Sequence, residues 1–207
     1  MRLPSHWTRY GWIVRNDGSR SDAMDNRDQL IDAVGRLLGD ATTFTLTELA
    51  DCAGVSRATT YRNFSAPSDA IDAFISRFLT DFEIEVTALP HGKNLERLVG
   101  LCRAWARLVD DRSQALVHVR SADGFLTRAK RDDPIIGRIH RLVRVNLADA
   151  MAAGALPESD LDYAVFLWNL LLDPRELADL AEHLNTSIPR AAEQLTTDYL
   201  TILRSKS

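Results

Sequence analysis

The chain has 207 residues, of which 45% are hydrophobic and 26% are charged, and its formal net charge at pH 7 is −4. That length and apolar content suffice for one large or two small folded domains. No apolar run approaches the roughly 20 residues needed to span a bilayer, and the N-terminus lacks the apolar stretch and cleavage pattern of a secretory signal. We therefore expect a folded cytoplasmic protein with no membrane segment.

Residues 1–24 are expected to form a flexible N-terminal extension. Four arginines in this segment alternate with Trp7, Tyr10 and Trp12. A basic arm of this composition could enter a DNA minor groove. The alternative is a disordered lead, or a start placed too early ahead of Met24, and the terminal position of the segment favours that alternative.

The rest of the chain has the residue spacing of an all-α protein. Apolar residues recur every three or four positions, as in Leu30, Val34 and Leu38, and no alternating strand pattern competes with them. Gly, Pro, Asn and Asp interrupt this pattern often enough to predict about nine or ten helices, with no internal repeat. Cys52 and Cys102 lie among apolar helical neighbours, which favours reduced thiols over a disulfide or a metal site.

A helix-turn-helix unit is predicted in residues 25–66, with helices near 25–39, 46–53 and 56–63. Gly54 lies in the tight turn before the third helix, where a left-handed backbone is often needed. Thr45 or Thr47 is placed to cap the second helix.

The third predicted helix carries arginine, hydroxyl and amide groups that suit a DNA major groove. With Val55 and Ala58 assigned to its inward face, the polar side chains are expected to point outward. Arg57 and Thr60 are the predicted base readers, and Tyr61 and Asn63 are expected to contact phosphate. The full set of residues predicted at the DNA is Thr47, Ser56, Arg57, Thr59, Thr60, Tyr61, Arg62 and Asn63.

The segment FTLTELADCAGVSRATTYRNF, residues 44–64, resembles the DNA-binding signature of the TetR family of bacterial transcription regulators. The chain departs from the family pattern at Thr60, where an apolar residue is usual, at Asn63, where His or Tyr is common, and at Pro67, where a phosphate-binding Lys is frequent. The matching residues are Thr47, Ala50, Gly54, Val55, Ser56, Thr59, Tyr61 and Phe64.

This resemblance implies an N-terminal helix-turn-helix domain joined by a long helix, near 67–88, to a C-terminal helical domain for ligand binding and dimerisation, residues 67–207. It also implies a ligand-responsive regulator, with a repressor expected, that binds a palindromic double-stranded DNA operator as a homodimer. A small, largely apolar effector would release it from the operator. In similar proteins the connecting helix swings and alters the spacing of the two DNA-binding helices.

The charge of the DNA-binding segment argues for modest affinity. Residues 25–88 contain five Arg, no Lys and eleven Asp or Glu, a net charge of −6. Because DNA affinity depends on neutralising phosphates, we expect a shallow salt dependence. The turn and third helix nevertheless carry Arg57 and Arg62 without an acidic residue, so the local charge there is positive.

The C-terminal segment offers candidates for dimerisation and for the effector site. Residues 164–172 are apolar around nearly the whole helix, and a C-terminal stripe predicts the dimer surface. That stripe consists of Ile188, Ala191, Ala192, Leu195, Tyr199, Ile202 and Leu203. Asn146 and Asn169 are the preferred effector contacts, because a buried amide needs partners that a ligand could supply. The complete set of effector candidates is Trp105, His118, Phe125, His140, Asn146, Phe166, Trp168 and Asn169.

Two other classes of protein compete with a regulator. An enzyme is disfavoured because the chain has no Gly-rich phosphate loop, paired-cysteine site, zinc-protease motif or nucleophile elbow. We therefore expect no catalytic residue, cofactor or metal site. The alternative is a helical protein-interaction adaptor that has lost DNA binding. The Thr59, Tyr61 and Phe64 constellation argues against the adaptor, and the exposed face of the third helix would separate the two.

Overall fold

The computed structural model describes residues 18–40, 43–90, 94–116, 124–131 and 133–205, and over these ranges the chain is α-helical with no strand. This confirms the all-α prediction. The described ranges contain ten helices: α1 Gly18–Asp40, α2 Leu46–Ala53, α3 Arg57–Asn63, α4 Pro67–Thr87, α5 Asn94–Leu116, α6 Phe125–Lys130, α7 Ile136–Ala152, α8 Leu161–Leu171, α9 Pro174–His183 and α10 Ile188–Arg204.

Helix α1 begins earlier than the sequence pattern indicates. It starts at Gly18 rather than near residue 25. The reason is that residues 18–29 are mostly polar and carry no apolar periodicity, so the sequence pattern gives no signal for a helix there. The part of the predicted extension that precedes Gly18, with its aromatic residues and three of its arginines, lies outside the described residues.

The start and end of α2 follow from its local chemistry. The Thr45 hydroxyl accepts a hydrogen bond from the Glu48 backbone N–H at 3.2 Å, and the Glu48 carboxylate accepts one from the Thr45 N–H at 2.7 Å. This reciprocal capping box satisfies two of the free N–H groups at the start of the helix. Gly54 ends α2 with φ 67° and ψ 24°, which confirms the predicted left-handed turn.

Two hydrophobic clusters form the core, and α4 contributes to both. The N-terminal cluster joins α1, α2 and the residues that flank α3, Val55 and Phe64, to the first half of α4. The C-terminal cluster joins the second half of α4 to helices α5 to α10. The α4 residues in the N-terminal cluster are Ala70 and Phe74, and those in the C-terminal cluster are Ile75, Leu79, Phe82 and Val86. Helix α4 therefore connects the helix-turn-helix to the rest of the molecule through continuous packing.

Arginines hold α4 to its neighbours along its length. On the N-terminal side, Arg77 of α4 pairs with Asp32 of α1 at 2.5 Å. On the C-terminal side, Arg138 of α7 binds both carboxylate oxygens of Glu83, at 2.9 and 2.7 Å, and Arg107 of α5 pairs with Glu85. The middle of α4 and its C-terminal part are thus tied to different parts of the chain.

Arg138 makes two more bonds to α4. Its guanidinium donates to the Ser76 carbonyl at 3.1 Å and to the Thr80 hydroxyl at 2.9 Å. One side chain from α7 therefore binds two successive turns of α4 and fixes the axial register of the two helices.

Helix α10 packs within the chain, which corrects the predicted dimer stripe. Ala191, Ala192, Tyr199 and Leu203 are buried by helices of the same chain, and the Tyr199 hydroxyl donates to the Ala164 carbonyl of α8 at 2.9 Å. The all-round apolar character of α8 has a matching explanation: its inner face is core, whereas its outer face exposes Tyr163, Phe166 and Leu170. Among the described residues, no helix is long and apolar enough to cross a membrane.

Candidate nucleic-acid interface and effector site

Helix α3 is fixed at its N-terminus by a serine cap. The Ser56 hydroxyl accepts from the Thr59 backbone N–H at 3.2 Å and lies 2.9 Å from the Thr59 hydroxyl. The turn before it is closed by a hydrogen bond from the Val55 N–H to the Ala50 carbonyl at 3.0 Å. At the other end Phe64 is buried in the N-terminal cluster. This short helix is therefore held rigidly at both ends against α1 and α2.

The exposed surface of α3 brings together most of the predicted DNA-contacting residues. The Arg57 side chain is 66% exposed and Tyr61 is 57% exposed. Ser56 and Arg62 are also exposed, whereas Thr59 and Asn63 are half-buried. Thr47 is half-buried and lies on α2, the helix that precedes α3 in the chain. The α3 surface, defined by Ser56, Arg57, Thr59, Tyr61, Arg62 and Asn63, is polar and faces solvent.

Thr60 does not belong to this surface, and its predicted outward orientation and base-reading role are wrong. Its side chain is 0% exposed, and its hydroxyl donates to the Ser56 carbonyl at 3.2 Å. Ala58, predicted to face inward, is exposed. The reason is the helical period: positions 60 and 64 are one turn apart, so the face that buries Phe64 also buries Thr60.

Two of the polar side chains of the α3 surface are bonded to their own helix. Arg62 donates to the Ala58 carbonyl at 3.2 Å and to the Thr59 hydroxyl at 3.0 Å, and the Asn63 amide donates to the Thr59 carbonyl at 2.9 Å. Among the described residues, by contrast, the ion-pair partner of Arg57 is the exposed carboxylate of Asp51, 4.0 Å away. Arg57 is therefore the α3 cation most readily available to a partner.

Arg27 of α1 is a functional neighbour that the sequence reasoning missed. It donates to the Asn63 carbonyl at 3.4 Å, and its guanidinium carbon lies 4.8 Å from the centre of the Phe64 ring. It therefore braces the C-terminal end of α3 through a hydrogen bond and a cation–π contact. No local pattern indicates this contact, because the partners are separated by 36 residues.

The N-terminus of α2 carries a negative charge. Hydrogen bonds from the Thr45 N–H and hydroxyl hold the pKa of the Glu48 carboxyl below its ordinary value. The Thr45-x-x-Glu48 spacing is a capping signature that can be read from sequence. A helix N-terminus attracts anions, but here the capping carboxylate occupies it. This arrangement leaves Arg57 and Arg62 as the cations of the α3 surface.

Among the effector candidates, Trp105 and Trp168 are core residues. The Trp105 indole N–H donates to the Leu172 carbonyl at 2.8 Å, and the Trp168 indole N–H donates to Cys102 Sγ at 3.4 Å. Their rings contact each other with centroids 5.4 Å apart. Both indoles are buried and have protein partners, so they form the wall behind any site rather than its polar contacts.

Asn146 is buried, but its amide does not lack partners. It is 3% exposed, accepts from Arg97 Nε at 2.9 Å and donates to the Leu142 carbonyl at 2.8 Å. Arg97 also donates to the Leu89 carbonyl at 2.6 Å, just after α4. Arg97 and the Leu142 carbonyl thus supply the partners that a ligand was expected to offer, and the assignment of Asn146 to the effector site stays a prediction.

The remaining effector candidates are dispersed. Phe125 and His140 are half-buried with ring centroids 6.1 Å apart, and burial together with the nearby Arg144 lowers the pKa of His140. His140 is thus an uncharged ring at neutral pH. Phe166 is 41% exposed on the outer face of α8. His118 lies outside the described residues.

Two cavities lie near the C-terminal helices. The first, of about 750 Å³, lies between the end of α8, α9 and α10, and Asn169 lines it together with Leu170 and Leu195. The second, of about 460 Å³, is a groove between α5 and α10. Asn169 is the one effector candidate that lines either of these two cavities. Both volumes lie in the ordinary range of small-molecule sites, roughly 300–1,000 Å³.

Comparison with known proteins supports the fold. No family model matches the sequence, and no curated protein matches it either. Solved structures do match: a TetR transcription regulator from Haloarcula marismortui is 16% identical with a TM-score of 0.64, over 87% of this chain and 98% of that one.

Two further structures agree. The repressor MexZ from Pseudomonas aeruginosa is 21% identical with a TM-score of 0.62, over 87% of this chain and 96% of that one. The transcriptional regulator FadR from Bacillus subtilis, solved in complex with stearoyl-CoA, is 13% identical with a TM-score of 0.64, over 86% of this chain and 97% of that one. At identities this low, the TM-scores show a shared fold and nothing more. That fold is the one that the sequence signature predicted.

Proposed function

From the premise that this chain has the fold of the TetR family of transcription regulators, we propose that it is a ligand-responsive DNA-binding regulator that acts as a repressor. The observation that carries the proposal is the α3 surface, on which Arg57 and Tyr61 project from a short helix capped by Ser56. A rigid polar helix of this kind is what a major groove accepts. In this proposal residues 25–66 bind DNA, and the protein acts in the cytoplasm, where the chromosome lies.

The proposal assigns separate roles to the α3 residues. Arg57 reads base edges, because its guanidinium is exposed and lies near the start of the helix. Tyr61 and Ser56 contact phosphate, and Arg62 and Asn63 do so if they exchange their bonds within α3 for bonds to DNA. Thr47 contributes from α2. Thr60 has no direct role, because it is buried.

We propose that the protein binds a palindromic operator as a homodimer. A single α3 covers only a few base pairs, so two copies are needed to read half-sites about one helical turn apart. The exposed apolar residues of α8, Tyr163, Phe166 and Leu170, are spaced by three and four positions and so form one stripe. A contiguous apolar stripe of this kind supports burial against a second copy.

The effector is proposed to be small and largely apolar, and to bind residues 67–207. The FadR structure from Bacillus subtilis contains stearoyl-CoA, which is consistent with an apolar effector on this fold. Binding would shift the chain between two positions of α4 and so change the spacing of the two α3 helices. The Arg138 and Arg107 contacts to Glu83 and Glu85 are the bonds through which the C-terminal domain would hold α4.

The experiment that tests this function is fluorescence anisotropy with the DNA upstream of the protein's own gene, at two salt concentrations. We expect the native protein to bind and the Arg57→Ala, Tyr61→Ala double variant to lose roughly tenfold to a hundredfold in affinity. Lys130→Ala, which removes an exposed cation from α6, is the matched control and should bind normally. The salt slope should be shallow because residues 25–88 have a net charge of −6.

The second candidate function is a helical protein-interaction adaptor that has lost DNA binding. The net charge of the DNA-binding segment favours it, as do the bonds that hold Arg62 and Asn63 to their own helix. Absence of binding at low salt to the upstream DNA and to a pool of random duplexes would exclude the DNA-binding function and support the adaptor. Specific binding that depends on Arg57 would exclude the adaptor.

A further inference from the structure

The groove between α5 and α10 has an apolar floor and a cationic rim. Its floor contains Val99, Cys102 and Ala106 from α5, and Ala192 and Leu200 from α10. Positions 99, 102 and 106 are three and four residues apart, so they share one face of α5. The groove therefore presents a continuous apolar strip between two helices, with a volume of about 460 Å³.

Three arginines and one glutamate line the same groove. Arg103 and Arg107 come from α5, and Arg190 and Glu193 come from α10. Their net charge is positive, in a chain whose total net charge is −4. Such a concentration of guanidinium groups beside an apolar floor is complementary to a molecule that has an apolar body and an anionic head.

The arginines differ in how firmly they are held. Arg103 lies 3.5 Å from Glu193 across the groove, in an ion pair whose side chains are 60% and 65% exposed. An exposed pair of this kind contributes little, so a ligand carboxylate can replace Glu193 at small cost. Arg190 is exposed and has no ion pair among the described residues. Both guanidinium groups are therefore available to an incoming anion.

The groove is separate from the other sites. On α10 it is lined by Glu193 and Thr197. The other cavity is lined by Leu195, which lies on a different face of α10 together with Ile188 and Ile202, at seven-residue spacing. At 100° per residue, Thr197 is about 160° around the helix from Leu195. None of the effector candidates of the sequence analysis lines the groove.

We propose that the α5–α10 groove is a binding site for a small amphipathic carboxylate. The apolar chain lies along the floor, and the carboxylate takes hydrogen bonds from Arg103 and Arg190 at the rim. Arg107 adds a third guanidinium and, through its ion pair with Glu85, connects the groove to α4. The binding itself does not depend on the proposed function, but its regulatory consequence does.

The binding is tested by isothermal titration of the full chain with decanoate and with decanol, its uncharged analogue. We expect one decanoate per protomer, bound about tenfold more tightly than decanol, because charge-assisted hydrogen bonds act on decanoate alone. The Arg103→Ala, Arg190→Ala double variant should weaken decanoate about tenfold or more and change decanol less than about twofold. Lys130→Ala, which removes one exposed cation outside the groove, is the control and should leave both affinities unaltered.

A second variant tests the apolar floor. Thr197→Phe places a ring at the groove mouth on an exposed position, so we expect it to weaken decanoate and decanol together without loss of helical signal. The proposal is overturned if decanoate does not bind, if decanol binds as tightly as decanoate, or if neither set of substitutions changes decanoate affinity.

The regulatory consequence has its own readout. Glu85→Gln releases Arg107, so decanoate should bind as tightly as before or tighter, while its effect on operator affinity shrinks. An unchanged effect on the operator would overturn the coupling through Arg107. Failure to bind any operator would contradict the proposed function but would leave the titration with decanoate valid, so the two failures are distinguishable.

Discussion

The chemistry of α3 depends on which side chains remain available after folding. Thr59, Arg62 and Asn63 exchange hydrogen bonds within the helix, and Ser56 is used as its cap. Arg57 faces only a distant carboxylate, and the Tyr61 hydroxyl has no hydrogen-bond partner among the described residues. A partner of α3 would therefore meet Arg57 and Tyr61 first, at no cost in internal bonds.

Replacement of Thr60 distinguishes a buried residue that stabilises α3 from a residue that contacts DNA bases. Thr60→Val keeps the shape of the side chain and removes one hydrogen bond to the Ser56 carbonyl, so we expect stability to fall by about 0–1 kcal/mol. DNA affinity should change less than about twofold, since the residue is fully buried. Urea unfolding and anisotropy measure the two quantities. A large loss of affinity at unchanged stability would contradict the buried role.

Gly54 is constrained by its backbone rather than by its neighbours. A Cβ built on Gly54 would meet no atom within 4 Å, but the residue has φ 67°. Gly54→Ala should therefore destabilise the protein by about 1 kcal/mol through left-handed strain alone, and Gly54→Asn should cost less. Thermal or urea unfolding of both variants checks the order. Equal stabilities of the two would mean that the turn relaxes away from this conformation.

These residues show which features of the structure can be predicted from the sequence. The cap at Thr45 and the turn at Gly54 are set by chemistry within a few residues, so local patterns predict them. Local patterns do not predict the rotation of α3 about its axis. In a seven-residue helix Ala58 and Thr60 are both small, so the face of either residue could be turned inward. The Arg97 partner of Asn146 is 49 residues away and carries no local signal.

At the scale of elements, α4 is the helix that packs in both hydrophobic clusters. Its first half packs in the N-terminal cluster with α1, and its second half packs with α5 and α7. The bidentate contact from Arg138 to Glu83 is reinforced by bonds to Ser76 and Thr80, so α7 cannot slide along α4 without breaking all of them. This geometry favours discrete positions of α4 over continuous movement.

The Arg138 contact should make stability depend on pH. Hydrogen bonds from Arg138 lower the pKa of Glu83, so its contribution to stability is present above the unfolded-state pKa of about 4.3 and is lost as the pH falls through the lower folded-state value. Glu83→Gln should cost about 1 kcal/mol at pH 7. The difference from the native protein should shrink below about pH 4.3.

Urea unfolding across this pH range measures the effect. Glu158→Gln changes an exposed carboxyl in the loop before α8 and is the matched control, for which we expect no comparable loss at pH 7. A constant difference between native protein and Glu83→Gln at all pH values would show that the lost stability does not come from the ionised pair.

For the whole molecule, the apolar stripe on α8 is the feature that folding of a single chain leaves exposed to solvent. Tyr163, Phe166 and Leu170 are exposed on a helix whose opposite face is fully buried. In the proposed function, the net charge of −6 over residues 25–88 makes the second copy more important, because two weakly binding α3 helices on one operator gain affinity through their linkage. Assembly and DNA binding are therefore expected to fail together.

Introducing a charge into the stripe tests this dependence. Leu170→Asp, at a residue that is 55% exposed, should leave the protomer folded but abolish dimerisation, because an unpaired carboxylate would be buried at the interface. Val145→Asp changes an equally exposed apolar residue on α7, 58% exposed, and should not alter the assembly. Analytical ultracentrifugation gives the mass, and anisotropy gives the accompanying loss of operator affinity. A dimer that persists in Leu170→Asp would place the interface elsewhere.

The sharing of α4 between two hydrophobic clusters also limits how such proteins can be recombined. Ala70 and Phe74 complete the cluster that contains Leu30 and Leu49, so a fragment that stops before α4 would expose its own core. A chimera that joins this helix-turn-helix to a different C-terminal domain should therefore carry α4 at least to Phe78, and should be spliced within the helix instead of at the loop that precedes it. The unit of exchange would be four helices, with the junction placed where one core gives way to the next.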